Sequence, residues 1–187
     1  MTAVDSGGWL GVATVLLAGF CVAAVWVDIR ERRIPNALSV GALASGLLLR
    51  VPLGLDAVGL GLASAGIAFV FGLFFFLIGG LGAGDVKFMA GVAAFLDPGQ
   101  LPLGLVVMAG VGVLMALVAV LRAGVLGRTF RNLVHFFLTF GRASFRGWKG
   151  ESPAVSLQSG GAMAVTSPYA VAIASGAIAA WFLPLIG

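Results

Sequence analysis

The feature that most constrains this chain is a series of long apolar runs almost free of charge. No charged residue occurs from Ala57 to Gly84, from Leu101 to Leu121, or from Pro168 to Gly187. A helix needs about 20 apolar residues to cross a bilayer. Only 10% of the residues are charged, against about 25% in soluble domains. The sequence therefore predicts an all-α polytopic membrane protein with a single membrane-embedded domain, residues 1–187.

Charges and prolines set the boundaries of about six predicted transmembrane helices. Their ranges are Trp9–Val27, Ala37–Leu49, Ala57 to about Gly80, the segment from Gly84 to Asp97, Leu101–Leu121 and Pro168–Gly187. The fourth range is short for a crossing, because its apolar part is only Phe88–Leu96. A re-entrant segment is the alternative there.

An amphipathic helix is predicted over residues 122–150. One arc of that helix is basic and the opposite arc is apolar, as is typical of a helix lying on an anionic membrane surface. The basic arc contains Arg128, Arg131, His135, Arg142 and Arg146, and the apolar arc contains Leu126, Phe130, Leu133 and Phe137. We interpret His135 as a solvated side chain of the basic arc.

The distribution of basic residues predicts the orientation in the membrane. With six spans and the amino terminus outside, ten of the eleven Lys and Arg fall in cytoplasmic segments 28–36, 81–87 and 122–167, and only Arg50 falls outside. The basic residues of the cytoplasmic segments account for the net charge of +4, so no nucleic-acid partner is expected.

Two of the five aspartates, Asp28 and Asp85, are the candidate chemical groups because each lies at the cytoplasmic end of a predicted span. Two carboxylates held close together share a proton, so one acts as a base on water while the other donates a proton. This chemistry needs no cofactor or metal, and the lone Cys21 excludes a Cys-based zinc site within the chain. The remaining aspartates are interpreted as solvated or capping residues; they are Asp5, Asp56 and Asp97.

The run Gly82-Ala83-Gly84-Asp85-Val86-Lys87 predicts an acid on a tight turn at the membrane boundary. Glycine lets the backbone turn where other residues clash and lets another chain approach closely. The simpler alternative is a solvated Asp85 that caps the next helix. Two alternatives of function also remain open: a small ion-coupled transporter or channel using Asp28 and Asp85 as ion sites, and a catalytically silent assembly factor.

Four motifs together resemble the prepilin peptidases, the type IV leader peptidases of the Gly-x-Gly-Asp aspartyl class. They are Asp28, Ile34-Pro35-Asn36, Gly82-Ala83-Gly84-Asp85-Val86-Lys87 and Pro168-Tyr169-Ala170-Val171-Ala172. The same class includes presenilin and signal peptide peptidase.

The resemblance implies an aspartic endopeptidase of the bacterial inner membrane, embedded in the lipid bilayer, that removes a short basic leader from a prepilin or pseudopilin. Asp28 and Asp85 would be the catalytic pair on the cytoplasmic side. Five further residues would shape the turn or the substrate site: Gly82, Gly84, Lys87, Pro35 and Asn36. The chain resembles the short peptidases of tight-adherence (Flp-type) pili and lacks the two Cys-x-x-Cys pairs of larger members, so no methyltransferase activity is expected.

Overall fold

The computed structural model describes residues 3–31, 33–77, 80–123 and 169–183, which form α-helices, short turns and no strand. The α-helices are α1 (Ala3–Glu31), α2 (Asn36–Arg50), α3 (Leu55–Leu77), α4 (Ala83–Ala93), α5 (Leu101–Ala123) and α6 (Tyr169–Phe182). A 3-10 turn, Val51–Leu53, links α2 to α3. The predicted all-α fold is confirmed.

Four of these helices are long and apolar enough to cross a membrane: α1, α2 together with its 3-10 turn, α3 and α5. Large apolar side chains on them are widely exposed, such as Val15 at 71%, Val70 at 66% and Val106 at 70%. Exposed aliphatic surface of this kind is what lipid contact requires, because lipid tails are as apolar as the side chains. The polytopic membrane fold is confirmed.

The short helix α4 lies at the centre of this arrangement. Every residue from Phe88 to Leu96 is buried, and α4 packs against both α2 and α3. Small residues allow the close approach: a Cβ on Gly91 would lie 2.7 Å from the Ser39 carbonyl oxygen. Helices in membranes pack through such small residues, because apolar side chains gain little by leaving lipid.

The segment from Ala83 to Asp97 runs the full length of α2 in the same direction. At one end, the Lys87 Nζ donates a hydrogen bond to the Asn36 Oδ1, at 3.1 Å. At the other end, the Arg50 Nη1 contacts the Asp97 carboxylate at 2.8 Å. A re-entrant segment would return to its starting end, whereas this segment ends beside the opposite end of α2. Its crossing of the membrane stays a prediction. The helical part alone, at 11 residues, is about 16 Å long.

Arg50 is a buried cation that joins three elements at this second end. Its guanidinium donates hydrogen bonds to the carbonyls of Ala57 (3.2 Å), Ala94 (3.0 Å) and Phe95 (3.0 Å). It also pairs with Asp97, which the sequence analysis interpreted as solvated or capping. Because buried charges need partners, these four contacts explain how an arginine is accommodated here.

Helix α1 runs antiparallel to α2 and to α6. Near its start, the Trp9 Nε1 donates to the Leu49 carbonyl at the end of α2. The Trp181 Nε1, near the end of α6, donates to the Thr14 Oγ1 at 2.9 Å. The end of α1, the start of α2, the start of α4 and the start of α6 therefore lie together at one end of the bundle, which we call the aspartate end.

Contacts divide the chain into two units, Met1–Gly112 with Pro168–Gly187, and Val113–Ser167. The helix packing described above belongs to the first unit. The predicted amphipathic helix over 122–150, including His135, lies outside the described residues beyond Ala123.

Candidate active site

Asp28 lies in the last turn of α1 and is only 6% exposed. Its Oδ2 accepts a hydrogen bond from the backbone N–H of Ala170, at 3.1 Å, although the two residues are 142 positions apart. Ala170 is the second residue of α6, where backbone N–H groups have no partner within the helix. The start of α6 therefore supplies the donor that a buried carboxylate needs, at the positive end of the helix dipole.

Asp85 is the third residue of α4 and is half-buried. Its Oδ2 accepts a hydrogen bond from the backbone N–H of Gly82, at 3.1 Å. This is the capping arrangement that the sequence analysis gave as the simpler alternative. Since the charge of Asp28 also acts on this carboxyl, capping and chemistry are compatible in the same residue.

Gly82 makes room for the Asp85 carboxylate. The backbone at Gly82 has φ −79° and ψ 152°, which any residue can adopt, so the expectation of an unusual turn conformation was wrong. A Cβ at this position would instead lie 2.9 Å from the Asp85 Oδ2. The glycine is needed for space rather than for backbone freedom.

Gly84 allows another part of the chain to approach α4. A Cβ there would lie 3.2 Å from the carbonyl oxygen and 3.5 Å from the nitrogen of Ile34. Ile34 is buried in the loop that joins α1 to α2, and Pro35 is the N-cap of α2 with φ −62°. The segment that lies close to Gly84 is a loop of the protein itself, and the approach of another chain stays a prediction.

Lys87 and Asn36 hold the same loop through a hydrogen bond at the protein surface. Both side chains are exposed, and their hydrogen bond of 3.1 Å links α4 to the start of α2. Together with the contact between Gly84 and Ile34, it holds the loop that follows Asp28 against the helix that carries Asp85. These motif residues therefore have a common effect: they fix the two acid-bearing elements relative to each other.

The electrostatics of the site couple the two acids. Asp85 lies outside the four helices long enough to span the membrane, and its pKa is raised from 3.8 to about 6. Burial is the main cause, the Gly82 N–H opposes it, and the charge of Asp28 adds to it. The raised pKa lets Asp85 keep its proton to a higher pH than an ordinary aspartate does.

Sequence reasoning missed the contribution of α6. The motif beginning Pro168-Tyr169-Ala170 was noted only for its resemblance and received no role. No local pattern indicates that the Ala170 N–H meets Asp28, because the contact depends on how α6 packs against α1. Across residues 3–31, 33–77, 80–123 and 169–183, no three His, Cys, Asp or Glu side chains form a group that could hold a metal ion.

The chain matches a known protein family. The sequence model of the type IV leader peptidase family matches residues 15–128, well over half of the chain, and this range contains both Asp28 and Asp85. Searches of curated proteins and of solved structures each gave no significant match. From the extent of the family match, and in agreement with the resemblance of its motifs, the chain belongs to the type IV leader peptidase family.

Proposed function

We propose that this membrane peptidase is an aspartic endopeptidase that cleaves the short basic leader from prepilin or pseudopilin proteins, with Asp28 and Asp85 as its catalytic pair. The family supports a peptidase with prepilin-like substrates. The observation that supports the aspartic mechanism is the position of the two acids at one end of the bundle. The start of α6 holds Asp28 there, and burial, with a smaller contribution from the charge of Asp28, raises the pKa of Asp85. The family assignment favours this function over the ion-coupled transporter.

In the proposed reaction, Asp28 starts as the carboxylate and Asp85 as the carboxylic acid. Asp28 takes a proton from water, the oxygen of that water attacks the scissile carbonyl carbon, and Asp85 gives its proton to the carbonyl oxygen. When the C–N bond breaks, Asp28 gives its new proton to the leaving amine. One hydroxyl of the intermediate returns a proton to Asp85, so both acids regain their starting states.

The hydrogen bonds of the pair fit these roles. The Ala170 N–H can donate only to an acceptor oxygen, and its position at the start of α6 favours a negative charge on Asp28. Asp85 has the raised pKa, as a proton donor near neutral pH requires. Four of the further motif residues are proposed to position this pair by holding the loop after Asp28 against α4, and Gly82 by leaving room for the Asp85 carboxyl.

We further propose that the aspartate end of the bundle faces the cytoplasm. The distribution of Lys and Arg supports this orientation, because basic segments resist translocation. A prepilin carries its basic leader on the cytoplasmic side, next to an apolar helix in the bilayer. A peptidase that cuts at that junction needs its acids at the same membrane face.

Co-expression of the full chain with a prepilin, with leader removal measured by mass, tests the proposed function. We expect Asp28→Asn and Asp85→Asn each to abolish cleavage while the protein still folds and inserts, because an amide can neither accept nor donate the required proton. Asp56→Asn is the matched control and should process normally, since Asp56 is exposed in the first turn of α3. Full processing by either of the first two variants would refute the pair.

A further inference from the structure

Tyr169 is a residue at the aspartate end to which the proposed reaction gives no task. It is the single tyrosine of the chain and the first residue of α6. Its neighbour Ala170 is completely buried and hydrogen-bonded to Asp28. Because that bond fixes the first turn of α6 on Asp28, the backbone of Tyr169 is held near this acid, and its side chain is only partly buried.

The phenol of Tyr169 also lies within the electrostatic reach of Asp85. Helix α6 packs against both α1 and α4, the two helices that carry the acids. Burial and, secondly, the charge of Asp85 raise the pKa of the Tyr169 phenol above its usual 10. Among the described residues, two acids act on this turn: Asp28 through its hydrogen bond with Ala170, and Asp85 through its charge. The phenol therefore remains a neutral hydrogen-bond donor at every pH at which Asp85 can hold a proton.

We propose that Tyr169 is a third catalytic residue, whose phenol O–H donates a hydrogen bond to the carbonyl oxygen of the scissile peptide. The inference rests on the proposed function, since it supplies a donor to the intermediate that the two aspartates form. The carbonyl oxygen gains negative charge as water attacks, and a donor already in place stabilises that charge without reorganisation. Asp85 approaches the oxygen from α4 and Tyr169 approaches it from α6.

A different explanation is that the Tyr169 side chain anchors α6 at the membrane interface, where tyrosine is common. In that case the ring would matter and the hydroxyl would not. Tyr169→Phe keeps the ring and removes only the hydroxyl, so it separates the two explanations. Ser175→Ala is the matched control, because it removes a hydroxyl from the same helix. The described hydrogen bond of that hydroxyl is to the Ala172 carbonyl within the helix, at 2.8 Å.

The first test is the steady-state kinetics of prepilin cleavage by the purified full chain. We expect Tyr169→Phe to lower kcat by about 100-fold, the loss typical of one oxyanion donor, with KM little changed. Ser175→Ala should cleave at the wild-type rate. A wild-type kcat for Tyr169→Phe would overturn the proposal. If Tyr169→Phe were active and Tyr169→Ala inactive, the ring would be needed and the hydroxyl would not, as the interfacial explanation requires.

The second test does not depend on activity. Tyrosinate absorbance titrates Tyr169 alone, because the chain has no other tyrosine. Asp85→Asn removes the neighbouring charge and should shift the titration to lower pH, whereas Asp56→Asn should leave it unchanged. Identical titrations of wild type and Asp85→Asn would place the phenol away from Asp85 and overturn the proposal.

The two proposals fail in different ways. Full processing by Asp28→Asn or Asp85→Asn would refute the aspartic mechanism and, with it, the role proposed for Tyr169. If those variants are inactive while Tyr169→Phe is fully active, the aspartic mechanism stands and only the role of Tyr169 is lost.

Discussion

At the scale of single residues, the position of the Asp85 carboxyl depends on the fact that Gly82 has no Cβ. A methyl group there would lie 2.9 Å from the Asp85 Oδ2 and would push the carboxylate away from the Gly82 N–H. We expect Gly82→Ala to lower kcat by about 10-fold or more, since small displacements of catalytic groups are costly. The melting temperature should change little, because the backbone conformation suits alanine and the displaced group is the end of a side chain.

Gly66→Ala is the matched control for this substitution. Gly66 lies in α3, and no atom lies within 4 Å of a Cβ added there. It should therefore retain full activity. If Gly82→Ala were as active as Gly66→Ala, the space beside Asp85 would have no part in catalysis.

The raised pKa of Asp85 also predicts how stability depends on pH. In the unfolded chain the carboxyl titrates at about its ordinary value of 3.8, and in the folded protein at about 6. Between these values the folded state binds more protons, so this residue's contribution to stability is complete below pH 4 and is lost as the pH rises through 6. Asp85→Asn cannot ionise, so its melting temperature should rise relative to wild type between pH 4 and pH 7.

Melting curves in detergent at pH 4, 5.5 and 7 measure this difference. Asp56→Asn, which alters an exposed aspartate in the first turn of α3, serves as the control and should show a smaller change. A constant difference between Asp85→Asn and wild type across the range would contradict the raised pKa.

At the scale of helices, α4 is held at both ends by different means. Its start is fastened by the loop after Asp28, and the segment beyond its end is fastened by Arg50. Removing the guanidinium would leave the buried carbonyls of Ala94 and Phe95 without donors. We expect Arg50→Gln to destabilise the protein by on the order of 3 kcal/mol. Asp97→Asn should cost about 1 kcal/mol or less, because the Asp97 side chain is 56% exposed and its ion pair is screened by solvent.

Two glycines of α3 provide a paired test of the same contact. A Cβ on Gly61 would lie 2.7 Å from the Arg50 Cδ, whereas a Cβ on Gly59 would meet nothing within 4 Å. Unfolding measurements should therefore find Gly61→Ala destabilised and Gly59→Ala unchanged. Equal stability of these two variants would mean that Arg50 is not held as described.

The helices themselves could be predicted from the sequence, but their contacts could not. The run from Ala57 to about Gly80 became α3, Leu55–Leu77, because an uncharged stretch of this length leaves the backbone few alternatives to a membrane helix. The contacts of Arg50 could not be predicted, since three of its four partners lie more than 40 positions later. Gly82 and Gly84 were recognised as special, but the physical reason was steric and depended on Asp85 and Ile34.

At the scale of the whole molecule, the bundle has two chemically different ends. The aspartate end carries Asp28, Asp85 and the start of α6. The opposite end carries Arg50 and Asp97, joined by a short ion pair. The segment from Ala83 to Asp97 connects the two ends alongside α2. The proposed catalytic pair therefore lies at one end of the bundle, and the membrane face that it occupies depends on the orientation of the bundle.

Thiol labelling of intact cells tests that orientation. Cysteine is placed singly at three exposed positions, Arg33, Leu55 and Gly99, after Cys21 has been replaced by alanine. Because ten of the eleven Lys and Arg lie on the predicted cytoplasmic side, and each resists translocation, an impermeant reagent should label Leu55→Cys and Gly99→Cys from outside. Arg33→Cys should be labelled only after permeabilisation. Labelling of Arg33→Cys in intact cells would show that the orientation is the reverse of the predicted one and that the acids lie at the outer face. Labelling of Leu55→Cys without Gly99→Cys would mean that the segment through α4 returns to its starting side.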